Sequence, residues 1–250
     1  TRKESSAASD VYKRQLVTSA TLTALGTFDR FRMRAGLPKK AVTAVVPSPF
    51  HHADAGVLRV PDLRADPRDA PAHTAAIIRD LPELVEGSRG TLVLFSSRKQ
   101  MQDVFDGLDR DWRKQVFIQG NLSKQETLNK HKARVDGGDS SVLFGLASFA
   151  EGVDLPGAYC EHVVIAKIPF SVPDDPVEAA LAEWIEARGG NPFMEISVPD
   201  ASLKLVQACG RLLRTEQDRG TITLLDRRLV TQRYGKAILN ALPPFRREIS

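Results

Sequence analysis

An α/β fold, with a mostly parallel sheet carrying helices on both faces, is predicted by three observations. Short apolar runs, "TLVLF", "SVLFGLA", "HVVIAKI" and "TITLL", have the length of strands and the continuous apolar character of strands covered on both sides. Stretches of helical length and pattern separate them, as crossover connections between parallel strands require. The chain of 250 residues, 42% hydrophobic and 26% charged, has globular composition and is long enough to fill a real core.

Each element follows in turn. Residues 1–14, "TRKESSAASDVYKR", are small and polar without a period and read as a leader, a tag or an artefact outside the fold. "QLVTSATL" reads as the end of a strand, and Leu25 to Ala35 as a helix stopped by Gly36-Leu37-Pro38. The passage from "KAVTAVVPSPF" to Pro71 reads as an extended linker. From Ala72 onward helices and strands alternate: a helix to about Glu86, the strand "TLVLF", a helix from Arg98 to about Leu108, and a strand in "KQVFIQG". Ser123 and Glu126 make a capping box for the helix in "SKQETLNKHKARV". After "SVLFGLA" and "HVVIAKI", Asp175 and Pro176 supply an N-cap and a first-turn proline for a helix ending at Arg188-Gly189-Gly190. A helix through Gln207, the strand "TITLL" and a helix from Thr231 to Asn240 complete the order.

Several classes are disfavoured. No run approaches 18 apolar residues and no charged-then-apolar signal opens the chain, so a soluble, intracellular protein is expected. Cys160 and Cys209 lack CxxC spacing, and neither His51-His52 nor Cys160-Glu161-His162 has a spaced second pair, so no metal site is expected. A net charge of +4 suits a polyanionic partner without demanding one.

Four stretches carry chemistry. In "LKLVQACGRLLRTEQDRG" at 100° per residue, Gln207, Arg211 and Arg214 fall at i, i+4 and i+7 on one stripe, opposite Leu205, Val206, Cys209, Leu212 and Leu213. Gly210 beside that stripe is costly inside a helix, a cost with a reason if something approaches the backbone there. Taken alone, the stripe is a solvated face or a ligand face. "FGLASFAEGVDLPG" puts Ser148, Glu151, Gly152 and Asp154 at a strand's C-terminal end, as a plain turn or as a loop that holds phosphate or ribose. Ser96, Ser97 and Arg98 join a strand to a helix, as an N-cap or as a phosphate site. "TSATL", Thr18 to Leu22, places hydroxyls at a strand end.

In this order and spacing "TSATL", "LVLFSSRKQ", "ASFAEGVDLPG" and "QACGRLLR" resemble motifs III, IV, V and VI of superfamily 2 helicases, within them the XPD-like branch and most closely the bacterial DinG helicases. "KIPFSVPDDP", "RGGNPF" and "LLDRRLVTQRYGKAILNALP" look like the same group, so the resemblance runs from about Gln15 to Phe245. Ala150 departs from it, since many relatives have Trp there.

The resemblance implies a RecA-like second motor domain over 72–250, a linker over 46–71, and a remnant of the first motor domain over 15–45. It implies that ATP and Mg2+ are clamped between two such domains. Arg211 and Arg214 would be arginine fingers, with Gln207 on the nucleotide or its water. Glu151, Gly152, Asp154 and Gly210 would lie by the nucleotide. Ser96, Ser97, Arg98 and Ser148 would face the DNA backbone, while Thr18, Ser19, Ala20 and Thr21 would couple hydrolysis to movement. The implied partners are single-stranded or forked DNA and the N-terminal motor domain of the same protein, with no membrane; the implied setting is the bacterial cytoplasm and nucleoid. Movement in such helicases runs 5′ to 3′. No G-x-x-x-x-G-K-[ST] and no Asp-Glu-x-His box occurs in the sequence. The resemblance places these, and an insertion that carries an iron–sulfur cluster, before residue 15. A non-catalytic nucleic-acid-binding or interaction module, separated from its ATPase half, is the alternative.

Overall fold

The apolar runs become the strands of one sheet, and the helical stretches between them become its two covering layers. The computed structural model describes residues 16–38, 40–150, 152–171 and 175–250. Residues 1–14 and Glu151 therefore lie outside the described residues, and of Ser148 only the backbone is described. In chain order the elements are α1 (Asp29–Ala35), α2 (His52–Ala55), β1 (Gly56–Val60), α3 (Ala70–Leu84), β2 (Gly90–Phe95), α4 (Arg98–Gly107), β3 (Val116–Ile118), α5 (Lys124–Asp136) and β4 (Ser141–Leu146). Then come α6 (Ala147–Ala150), β5 (His162–Ile165), α7 (Pro176–Ala187), α8 (Val198–Cys209), β6 (Gly220–Leu224), α9 (Arg228–Thr231), α10 (Arg233–Ala241) and β7 (Arg246–Ile249).

The seven strands pair in the order β3-β4-β2-β5-β6-β1-β7, and every pairing is parallel. Side chains alternate between the two faces with the strand period of two. Leu92, Leu94, Leu143, Val163, Ile165 and Ile222 enter one core with Leu205 and Cys209 of α8 and Ile238 of α10. Val93, Phe95, Phe144 and Val164 enter the other with Ile77 and Leu81 of α3 and Met101 and Val104 of α4. Burial of both faces explains why these strands read as continuous apolar runs.

The caps are where the sequence puts them. Ser123 Oγ accepts from Glu126 N at 3.2 Å, and Asp175 Oδ1 accepts from Val177 N at 2.8 Å. Gly36 closes α1 at φ 63°, in the left-handed region.

Four expectations change. "QLVTSATL" is not a strand end: residues 16–19 have no regular structure, with Leu16 and Val17 exposed and no strand beside them among the described residues. α1 starts at Asp29 because Leu25 sits at φ 52°, outside the helical region. The expected linker over 46–71 contains α2 and β1; Leu58 and Val60 are fully buried while Arg59 faces out, so β1 is an integral strand between β6 and β7. The fourth concerns the Gln207 helix, which ends at Cys209 instead of running through Arg214.

Candidate functional site

α8 stops where Gly210 takes φ −66°, ψ −3°, and the chain leaves it in tight turns, with Arg211 N bonding Ala208 O and Leu212 N bonding Cys209 O. A Cβ at Gly210 would meet only the Val206 and Gln207 carbonyls of the preceding turn, at 3.4 and 3.5 Å. This glycine therefore marks the helix end and leaves no close approach to explain. Arg211 and Arg214 do not share a helical edge with Gln207. They nonetheless converge: Arg211 Nη1 and Arg214 Nη2 both donate to Val153 O, at 3.3 and 2.6 Å, and Arg214 Nε lies 3.5 Å from Asp154 Oδ1. Leu212 and Leu213, buried between them, fasten the turn to the core.

The turn is organised by Asp218, a residue that the 3.6-residue period cannot point to. Its Oδ2 accepts from Arg214 N and Thr215 N at 2.6 and 2.8 Å; its Oδ1 accepts from Thr215 Oγ1 at 2.7 Å and Gly157 N at 3.1 Å. Asp218 is 5% exposed, so an unbonded carboxylate there would be costly. Burial pushes its pKa up, but the Thr215 hydroxyl and the three N–H bonds outweigh burial and hold the carboxyl below its ordinary value. The signal available in sequence was "TEQD" itself: a carboxylate three residues after Thr215, placed to satisfy turn N–H groups.

Val153 belongs to the segment that returns from the C-terminal end of β4 to the start of β5. Gly152 begins that return at φ 68°, with open space where a Cβ would be, so it serves backbone conformation and not ligand approach from within the fold. Gln207, exposed on α8, donates from Nε2 to Thr21 Oγ1 at 3.2 Å. This brings one of the four residues Thr18 to Thr21 onto the arginine side of the molecule.

Ser96, Ser97 and Arg98 stand exposed at the C-terminal end of β2. Ser97 Oγ accepts from Gln100 N at 3.4 Å, so it caps α4. Next to it along the same edge, Gln119 Oε1 accepts from Leu146 N and ties β3 to β4. Farther along, Asp226 holds Ile168 N at 2.9 Å and Arg228 Nη2 at 2.6 Å, with the Arg228 guanidinium over the Phe170 ring at 5.5 Å. Gln119, Asp226 and Arg228 were not singled out in the sequence, although their position just after strands was the available signal.

His162 Nε2 bonds Thr223 Oγ1, Cys160 is buried with its thiol pushed up to about 12, and His52 packs edge-on against Phe245. Among the described residues no group of three or more His, Cys, Asp or Glu could hold a metal, and no helix is long and apolar enough to cross a membrane.

The sheet is a parallel α/β layer with an arginine turn folded onto the loop after β4, and residues 81–245 match the helicase C-terminal domain family. The chain belongs to that family. It is similar to the ATP-dependent DNA helicase DinG of Photobacterium profundum, 47% identical over 239 residues that make up 94% of this chain and 34% of that protein. It is also similar to the DinG protein of Escherichia coli, 39% identical over 236 residues, 92% of this chain and 33% of that one. The chain thus spans about a third of the length of these relatives. Two XPD structures share the RecA-like fold: an XPD helicase with TM-score 0.57 at 18% identity over 78% of this chain and 36% of that one, and an apo XPD with TM-score 0.54 at 16% identity over 78% and 40%.

Proposed function

We propose that the chain is the second motor domain of an ATP-dependent DNA helicase, with residues 15–45 belonging to the first, and that the whole protein hydrolyses ATP with Mg2+ to move 5′ to 3′ on single-stranded DNA and open duplexes. The observation that carries this reading is the convergence of Arg211 and Arg214 on Val153 O beside Asp154. Two guanidinium groups held together on a half-exposed turn suit a triphosphate presented by the first motor domain, whose negative charge grows on the transferring group.

In this reading Arg211 and Arg214 are arginine fingers and Gln207 orients the nucleotide or its attacking water. Gly152 and Asp154, with Glu151, let the loop after β4 sense which nucleotide is bound. Ser96, Ser97, Arg98 and Ser148 face the strand's phosphates and position it without reading bases. Thr18 to Thr21 couple hydrolysis to movement through Gln207. The carboxylates that hold Mg2+, the phosphate-binding loop and any iron–sulfur cluster are assigned to the rest of the protein.

Two measurements test the reading. This chain alone is expected to turn over ATP negligibly. In the full-length protein Arg211→Ala is expected to lower DNA-stimulated hydrolysis by about a thousand-fold, the low end of what a finger arginine contributes. Substantial turnover by the pure chain that vanishes in Arg211→Ala would refute the division of labour between two domains.

A further inference from the structure

α1 meets the rest of the fold through a buried arginine. Arg30 is 4% exposed and reaches carboxylates on two helices. Its Nε and Nη2 bond Asp200 Oδ1 and Oδ2, both at 2.7 Å, and Nη2 also bonds the two Glu178 oxygens at 2.9 and 2.8 Å. Glu178 lies in the first turn of α7, where the helix dipole favours an anion, and Asp200 lies near the start of α8, which continues a π-helical turn over Phe193–Ser197. A fork-to-carboxylate pair fixes geometry more tightly than an apolar contact, while its net effect on stability is small. What this triad fixes is the placement of α1 on α8.

That placement has a consequence seven residues along α8. Asp200 and Gln207 stand two helical turns apart on one face, and Gln207 is the residue that holds Thr21, nine residues before Arg30. Between the two contacts lies a cavity of about 390 Å³ lined by Arg34, Glu178, Asp200, Lys204 and Gln207. Between them Ala24 is buried and Leu25 packs against the core; the ion triad and the Thr21–Gln207 bond are the polar contacts that fix how this segment sits on α8.

We propose that Arg30, Glu178 and Asp200 form a latch that seats Thr18–Thr21 against Gln207, making Arg30 a positioning residue for the coupling of ATP hydrolysis to movement on DNA. The proposal rests on the helicase reading of Gln207 and Thr18–Thr21. Arg30 itself touches neither nucleotide nor DNA; it acts through α1.

The test compares Arg30→Met and Asp200→Asn with the unaltered full-length protein, measuring DNA-stimulated ATP hydrolysis and strand separation side by side. ATP consumed per base pair opened is expected to rise about ten-fold while hydrolysis falls less than about two-fold, within the span by which contacts between sites alter coupling. Arg30→Lys, which keeps the charge and loses the fork, should fall between. An equal loss of both activities, or of neither, overturns the latch.

A second measurement reads the latch without activity. In this chain, spin labels on Arg34→Cys and Lys204→Cys report the distance across the cavity, since its own Cys160 and Cys209 are buried and poorly reactive. One narrow distance is expected in the unaltered background and a broad distribution with Arg30→Met; an unchanged distribution overturns the latch. Full-length protein that shows no ATP-driven unwinding at all refutes the helicase reading instead, and the label distances still decide the latch. If Arg30→Met does not fold, Asp200→Asn, whose carboxylate is partly exposed, carries both measurements.

Discussion

Arg211 and Arg214 reach Val153 from a turn without regular structure, whereas Ser96, Ser97 and Arg98 stand where a buried strand passes directly into a helix. The second arrangement is held by elements that would exist anyway: β2 sets the position and the N-cap of α4 sets the direction. The first needs a dedicated organiser, and Asp218 fills that role with four hydrogen bonds, from Arg214 N, from Thr215 N and Oγ1, and from Gly157 N. The arginine turn thus sits on the part of the fold that a single carboxylate holds, and the serine-bearing strand end on the part held by the sheet.

Acid tests the scaffold that both regions share, and carries the largest expected effect. Burial, with a smaller contribution from Arg59, pushes His162 down to about 4, and burial lowers His73 and His131 in the same direction. A folded-state value below the unfolded one means stability is complete above the ordinary 6.5 and falls as pH drops from there toward 4. His162 alone corresponds to a loss on the order of 3 kcal/mol over that window. Thermal melts between pH 7 and pH 4 should fall steeply, and His162→Gln should flatten part of the slope; a melt independent of pH over that window contradicts the assignment.

Breaking the comparison on the arginine side comes next. Asp218→Ala strands the Arg214, Thr215 and Gly157 N–H groups, so it should cost about 1–3 kcal/mol in denaturant melts. It should also lower ATP hydrolysis by the full-length protein. Because the Asp218 carboxyl is held below its ordinary 3.8, its contribution to stability is present above that pH and disappears only as pH falls through the lower folded value. Gly152→Ala should cost about 1–2 kcal/mol, the strain of an L side chain at left-handed φ in otherwise open space; an unchanged melt would mean the loop relaxes elsewhere.

The serine side should give the smallest effect. Ser97→Ala removes a cap and should cost about 1 kcal/mol, with the melting change confined to stability and no loss of ATP turnover.

The same contrast explains what was legible in the sequence. The strands β2 to β6 were readable because burial on both faces writes them as apolar runs, and the caps at Ser123 and Asp175 because their side chains bond locally. β1 was hidden: Arg59 interrupts its apolar pattern, and the prolines around it look like a linker. The end of α8 was hidden too, because Arg211 and Arg214 happen to fall on a helical stripe that their backbone does not follow. Their proximity arises instead from the turn that Asp218 holds and from Val153 O, which both side chains reach. The Arg30 bonds to Glu178 and Asp200 span 148 and 170 residues, and the Asp218 bond to Gly157 spans 61, separations that local pattern cannot reach.

The decisive measurement is a paired assay on the full-length protein, in which Arg214→Ala and Arg98→Ala are each measured for maximal ATP turnover and for affinity to single-stranded DNA. The arginine-turn variant should lose turnover by about a hundred-fold or more with DNA affinity kept; the strand-end variant should bind DNA more weakly, with a shallower salt dependence and turnover kept at saturating DNA. Loss of DNA affinity in Arg214→Ala with turnover intact would show that the arginine turn serves the nucleic acid and not the nucleotide.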